Sequence, residues 1–165
     1  MIYAQVVMPC KQTGVVHVAY GDKTGKFARR KVVGIVPFAR SVAAGELKGE
    51  MSIVVGSSLP HLHVYRRKET RWAVEVVPSL EMSNDVHIAD MNNDKRPEIV
   101  SVAQKANAVE IHHWGTTHGK KGWQTHRGAM PSREQGFKPK FLHAIVIARL
   151  KANATKRTKP QVLLL

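Results

Sequence analysis

The chain has 165 residues, 43% of them hydrophobic and 23% charged, which is enough for one domain with a real core. The formal net charge is +14, carried unevenly: residues 1–104 hold 14 Lys and Arg against 10 Asp and Glu, residues 105–165 hold 12 against 2. A single cysteine, Cys10, excludes an internal disulfide and a cysteine-rich zinc site, and no apolar run reaches the length of a transmembrane helix.

In chain order, residues 2–8 read as an apolar strand ended by Pro9, with none of the basic n-region of a signal peptide. Residues 14–20 are a β-branched run. The Gly21-Asp22-Lys23-Thr24-Gly25 turn then leads to Phe27 and Val32-Val33, a hairpin pattern. After an irregular connection at Val36-Pro37-Phe38, residues 41–46 open a second unit, and Ile53-Val54-Val55 is a fully apolar strand. Residues 61–66 and 71–77 alternate, as half-buried strands do. Residues 86–90, 98–103, 108–114 and 123–126 repeat that order of strands. Residues 127–140, with Gly128, Pro131, Gly136 and Pro139, read as a long surface loop, and strands resume at 142–148 and 161–165. No amphipathic helical pattern of convincing length exists.

Between two of these strands lies Asp90-Met91-Asn92-Asn93-Asp94-Lys95-Arg96-Pro97-Glu98. Oxygen-bearing side chains stand at alternate positions, Asp90, Asn92, Asp94 and Glu98, with Arg96 offering its carbonyl. That is an oxygen-only donor set of the kind calcium prefers, and equally the composition of an Asx-rich turn holding no metal. Residues 42–55 and 147–163 align with residues 87–100 at spacings of about 44 and 59 residues. A period of 40–50 residues carrying about four strands is the mark of a propeller.

On these residues the chain resembles the FG-GAP and VCBS repeats of integrin-type β-propellers. The match is carried by Asp90 to Val100, preceded by Val86-His87-Ile88-Ala89, and supported by Gly21 to Phe27 and Val54-Val55-Gly56. The resemblance implies an all-β fold of propeller-type four-stranded blades, two full (41–77 and 85–127) and two partial (2–34 and 142–165), in one domain spanning 1–165. It implies one calcium site, with side-chain ligands Asp90, Asn92, Asp94 and Glu98 and a backbone ligand from Arg96. It also suggests an extracellular setting. Lys95 stands where the family usually has glycine, a position that needs a backbone conformation lysine adopts less readily. Three to four blades do not make the usual closed ring, so the expectation is part of a larger propeller, or a ring completed by further copies of the chain.

Nine histidines lack any zinc-binding spacing. Glu110 and His112 share a strand face and form a candidate acid/base pair. Trp114, His118, Lys120, Lys121, Trp123, His126 and Arg127 interleave aromatics with cations on one hairpin and are the candidate ligand-binding residues. The functional expectation is a non-enzymatic, calcium-stabilised module that binds a glycan or protein partner. The alternatives are a structural protein associated with polyanions, acidic polysaccharide or nucleic acid, and a fragment of an enzyme resembling sugar lyases or dehydratases.

Overall fold

A computed structural model describes residues 5–129, 145–148 and 161–164 of the chain. Every element in them is a β-strand. The first sheet holds β1 (Gln5–Pro9), β2 (Val15–Tyr20) and β3 (Arg29–Ile35). The second holds β4 (Ala39–Leu47), β5 (Glu50–Ser57), β6 (His61–Lys68) and β7 (Arg71–Pro78). The third holds β8 (Ser83–Ala89), β9 (Glu98–Ala103), β10 (Ala108–Thr117) and β11 (Lys120–Ala129). β12 (Ile145–Ala148) and β13 (Gln161–Leu164) pair as a two-stranded fourth sheet. All pairs are antiparallel between chain neighbours. The fold is thus all-β, as the alternating pattern predicts, and among the described residues no sheet closes on itself. The surface loop expected over 127–140 lies outside the described residues from position 130 on, as do the expected strand residues 142–144.

The sheets stack, which explains why some strands are apolar on both faces. Val54 faces the third sheet in a core with Leu47, Leu62, Val64, Val77, Val86 and Ile99. Its neighbours Ile53 and Val55 face the first sheet, in a core with Val16, Val18, Val33 and Tyr65. In the same way β9 sends Ile99 back toward the second sheet and Val100 and Val102 forward into a third core with Val109. A strand covered on both sides has no solvent face to make polar, so period-two alternation disappears. Strand β4 lies beside β8 and β1, and β12 beside β8, so the first strands of successive sheets adjoin. Two glycines permit this closeness: an added Cβ at Gly45 would meet Ile88 of β8, and one at Gly56 would lie 2.5 Å from the Ser83 carbonyl oxygen.

Antiparallel neighbours send alternate connections to opposite ends of the stack. Those after β2, β4, β6, β8 and β10 gather at one end, as the side chains that cross between sheets show. Lys31 of β3 donates to the Thr70 carbonyl of the β6–β7 turn, and Lys48 of the β4–β5 turn reaches Trp114 and Trp123 of β10 and β11. At the other end Arg40 donates to Ser58 and Asn84.

Candidate functional site

The β8–β9 loop is held by its own side chains. Asp90 accepts from the N–H groups of Asp94 (3.2 Å) and Lys95 (3.0 Å), and Asp94 Oδ1 accepts from the N–H of Arg96 (2.7 Å). Glu98 is buried and accepts from the N–H of Met91 (2.7 Å). Asn93 and Lys95 both adopt positive φ, 63° and 67°. Lysine therefore takes up the conformation that the loop's glycine position requires, at some strain. Burial pushes the Glu98 carboxyl up, and the charges of Asp94 and Asp90 push it the same way. Among the described residues no three His, Cys, Asp or Glu side chains meet as a metal-binding group. In this loop the Asn92 amide nitrogen lies between the carboxylates, donating to Asp94 Oδ2 (3.1 Å) and Glu98 Oε1 (3.3 Å).

The corresponding stretch of the second sheet is built differently. Leu47 pairs with Glu50, leaving only Lys48 and Gly49 in the turn, both at positive φ (54° and 76°). That is a two-residue type I′ hairpin turn, which joins the strands without a cation. Glu46 and Glu50, the only acidic residues kept in this copy of the pattern, do not ring a loop: Glu50 pairs with Lys68.

The turn delivers Lys48 across to the third sheet. Its ammonium lies 3.1 Å from the centre of the Trp114 ring and 4.8 Å from that of Trp123, and donates to Glu75 (3.2 Å). A cation held over indole faces in a partly desolvated position contributes about 1–2 kcal/mol. Burial and the nearby Arg66 guanidinium push the Lys48 pKa down to about 8, against the pull of Glu50. Trp114 and Trp123 face each other in register, edge to face with centroids 5.7 Å apart. Around them opens a cleft of about 340 Å³, lined on one side by Glu46, Lys48 and Gly49 and on the other by the loop from Asn92 to Glu98, with His113. The Trp123 indole N–H is buried and has no partner among the described residues.

The seven hairpin residues do not act as one patch. Trp114 and Trp123 enter the cleft. His118, Lys120 and Lys121 sit exposed at the hairpin tip, where His118 and Gly119 form another two-residue turn at positive φ. His126 lies on the opposite sheet face, stacked on His113 at 4.9 Å. Arg127 is roughly 20 Å from the tip at about 3.3 Å per residue, and donates to Glu110 (3.0 Å). The acid/base pair does share a face, but Glu110 and His112 are fully buried. Glu110 accepts from Ser79 Oγ (2.5 Å) and the Leu80 N–H (2.9 Å); His112 shares hydrogen bonds with Ser101 (3.1 Å) and Thr125 (2.9 Å). This is an internal polar network between the second and third sheets, sealed from substrate.

Lys48 is the site residue the sequence pattern does not single out. The Lys48-Gly49 pair between two apolar strands is a readable turn signal, but its proximity to Trp114 depends on stacking of sheets. No protein-family model matches the chain, and no curated protein matches it.

Proposed function

We propose that the chain is a non-enzymatic, calcium-stabilised β-propeller-type module that binds a glycan in the cleft between its second and third sheets. The carrying observation is the convergence of two tryptophans, a desolvated lysine and the acidic 90–98 loop on one opening of about 340 Å³. An indole face takes the apolar side of a sugar ring, while Lys48 and Glu46 supply directional contacts to hydroxyl or carboxylate groups. Stacked four-stranded sheets with adjoining first strands support the propeller reading. The sealed state of Glu110 and His112 supports binding rather than turnover.

Calcium fits the loop chemically. The donors are all oxygens, Asp90, Asn92, Asp94, Glu98 and the Arg96 carbonyl, and a divalent ion there would offset the burial and the nearby Asp94 and Asp90 charges that push the Glu98 carboxyl up. Binding requires the Asn92 amide to turn its oxygen toward the ion in place of its nitrogen. Melting temperature rises in calcium relative to chelator, and Asp90→Ala with Asp94→Ala removes the difference; identical melts of the parent protein would remove calcium from the proposal. Glycan binding is read by calorimetry against an oligosaccharide panel. Trp114→Ala weakens the best ligand by roughly tenfold or more, and a panel with no binder, or a variant that binds as the parent does, refutes the glycan reading.

A further inference from the structure

The second sheet carries a cleft on each face, and both open beside the β4–β5 turn. The first is the Lys48–Trp114–Trp123 cleft. The second, of about 490 Å³, lies between the first and second sheets and is lined by Val7, Val18, Met51, Ile53, Arg67 and Trp72 among others. Arg67 and Trp72 are cross-strand partners flanking the β6–β7 turn. Trp114 and Trp123 are cross-strand partners near the β10–β11 turn. The third and fourth strands of successive sheets thus place an indole in successive clefts. Facing sheets stack about 10 Å apart, so the clefts recur at about that interval along one end of the molecule.

That end also holds cations with nothing to neutralise them. Arg67, Arg71, Lys95, Arg96, Lys120 and Lys121 are all exposed, and among the described residues none of these side chains makes a hydrogen bond or ion pair. At the opposite end Arg40 is engaged by Ser58 and Asn84, Lys105 by Glu81 and Arg127 by Glu110, and Lys11 is exposed. Unpaired guanidinium and ammonium groups interleaved with indoles match a polymer that alternates apolar ring faces with carboxylates. A nucleic-acid backbone fits less well: Glu46 and Asp94 line the first opening, and a sugar chain offers them hydroxyl donors where a phosphodiester offers only acceptors.

Resting on the glycan reading above, we propose that the two clefts are successive subsites for one linear acidic polysaccharide, which crosses the end of the second sheet from Trp114 to Trp72. Joining two subsites through one chain raises affinity by roughly a hundredfold or more over either alone. The test uses the full chain with calcium present. Binding of galacturonic acid mono-, di-, tetra- and hexamers is measured by calorimetry at two salt concentrations, beside a neutral hexamer and a single-stranded DNA of equal length. The expected result is a steep rise in affinity from dimer to hexamer, a loss at higher salt, and weaker binding of the neutral hexamer. Charge reversal by Arg67→Glu with Arg71→Glu brings the hexamer-to-dimer ratio toward one. Both residues are exposed, so this variant keeps the core packing that Trp72→Ala removes, and a melt confirms it. A ratio near one in the parent, or a ratio unchanged by the reversal, overturns the two-subsite proposal while leaving a single-cleft glycan site standing. DNA binding tighter than the hexamer also overturns it. Failure of every saccharide to bind removes the glycan reading itself.

Discussion

His112 is a neutral imidazole held between two hydroxyls, and its position makes the protein sensitive to acid. Burial holds its pKa below the ordinary 6.5, with Glu110 pulling upward and Arg127 adding to the depression. The unfolded chain accepts a proton near 6.5 and the folded protein resists it. The contribution to stability is therefore complete above that pH and declines as pH falls below it. Burial pushes Glu110 up, but hydrogen bonds from Ser79, the Leu80 N–H and Arg127 outweigh it and hold the carboxyl below its usual 4.5. That contribution is present above 4.5 and is lost on further acidification, so both groups act in the same direction. The melting temperature should drop between pH 7 and 4, and His112→Gln should flatten the upper part of that drop. A parent melt unchanged between pH 7 and 5 would contradict this account. At the same scale Lys48 shows why a residue's type does not reveal its role. It is one of many lysines in a basic chain, and only the type I′ turn beneath it and the indoles opposite make it part of a site.

At the scale of the element, the strands were legible wherever one face meets solvent or where turn residues bound an apolar run. The β6–β7 hairpin follows its alternation, and β5 and β9 follow their unbroken apolar runs. The internal repeat also aligns residues 42–55 with residues 87–100, yet the two connections differ in kind. A type I′ turn closes β4 and β5 after two residues, while the β8–β9 loop folds around its own carboxylates. The difference arises because both solutions satisfy the same strand ends, and a short acidic stretch is compatible with either. Close approach of strands supplies a sharper check on the stacking. Gly56 faces the Ser83 carbonyl, a backbone atom that cannot move aside, so Gly56→Ala should cost about 1–3 kcal/mol in chemical denaturation. Gly122, with open space around the same vector, should accept alanine within about 0.5 kcal/mol. Equal effects at the two positions would mean that the second and third sheets are not packed as described.

For the whole molecule, the distribution of charge over the surface matters more than its total. Along the chain most of the excess of Lys and Arg, +10 of +14, lies in the last 61 residues. In space, free cations from the second and third sheets meet at the end that carries the alternate connections, whereas Arg40, Lys105 and Arg127 at the other end are engaged. Retention on an immobilised acidic polysaccharide should separate these views. Lys120→Glu with Lys121→Glu should elute at clearly lower salt, whereas Lys11→Glu with Lys105→Glu, an equal change in net charge, should elute near the parent. Equal shifts would assign retention to net charge alone.

The sequence by itself determined that the chain is all-β, where most of its strands run, and that one loop between them carries a calcium-type donor pattern. These are local properties, encoded in period-two hydrophobicity and in residues suited to particular turns. Only the tertiary structure decided that Glu110 and His112 are sealed inside a polar network, that the candidate hairpin divides between a cleft, a tip and a far end, and that Lys48 belongs with Trp114 and Trp123. Each of those depends on how one sheet lies against the next. Contacts between sheets join residues tens of positions apart, which no spacing along the chain records.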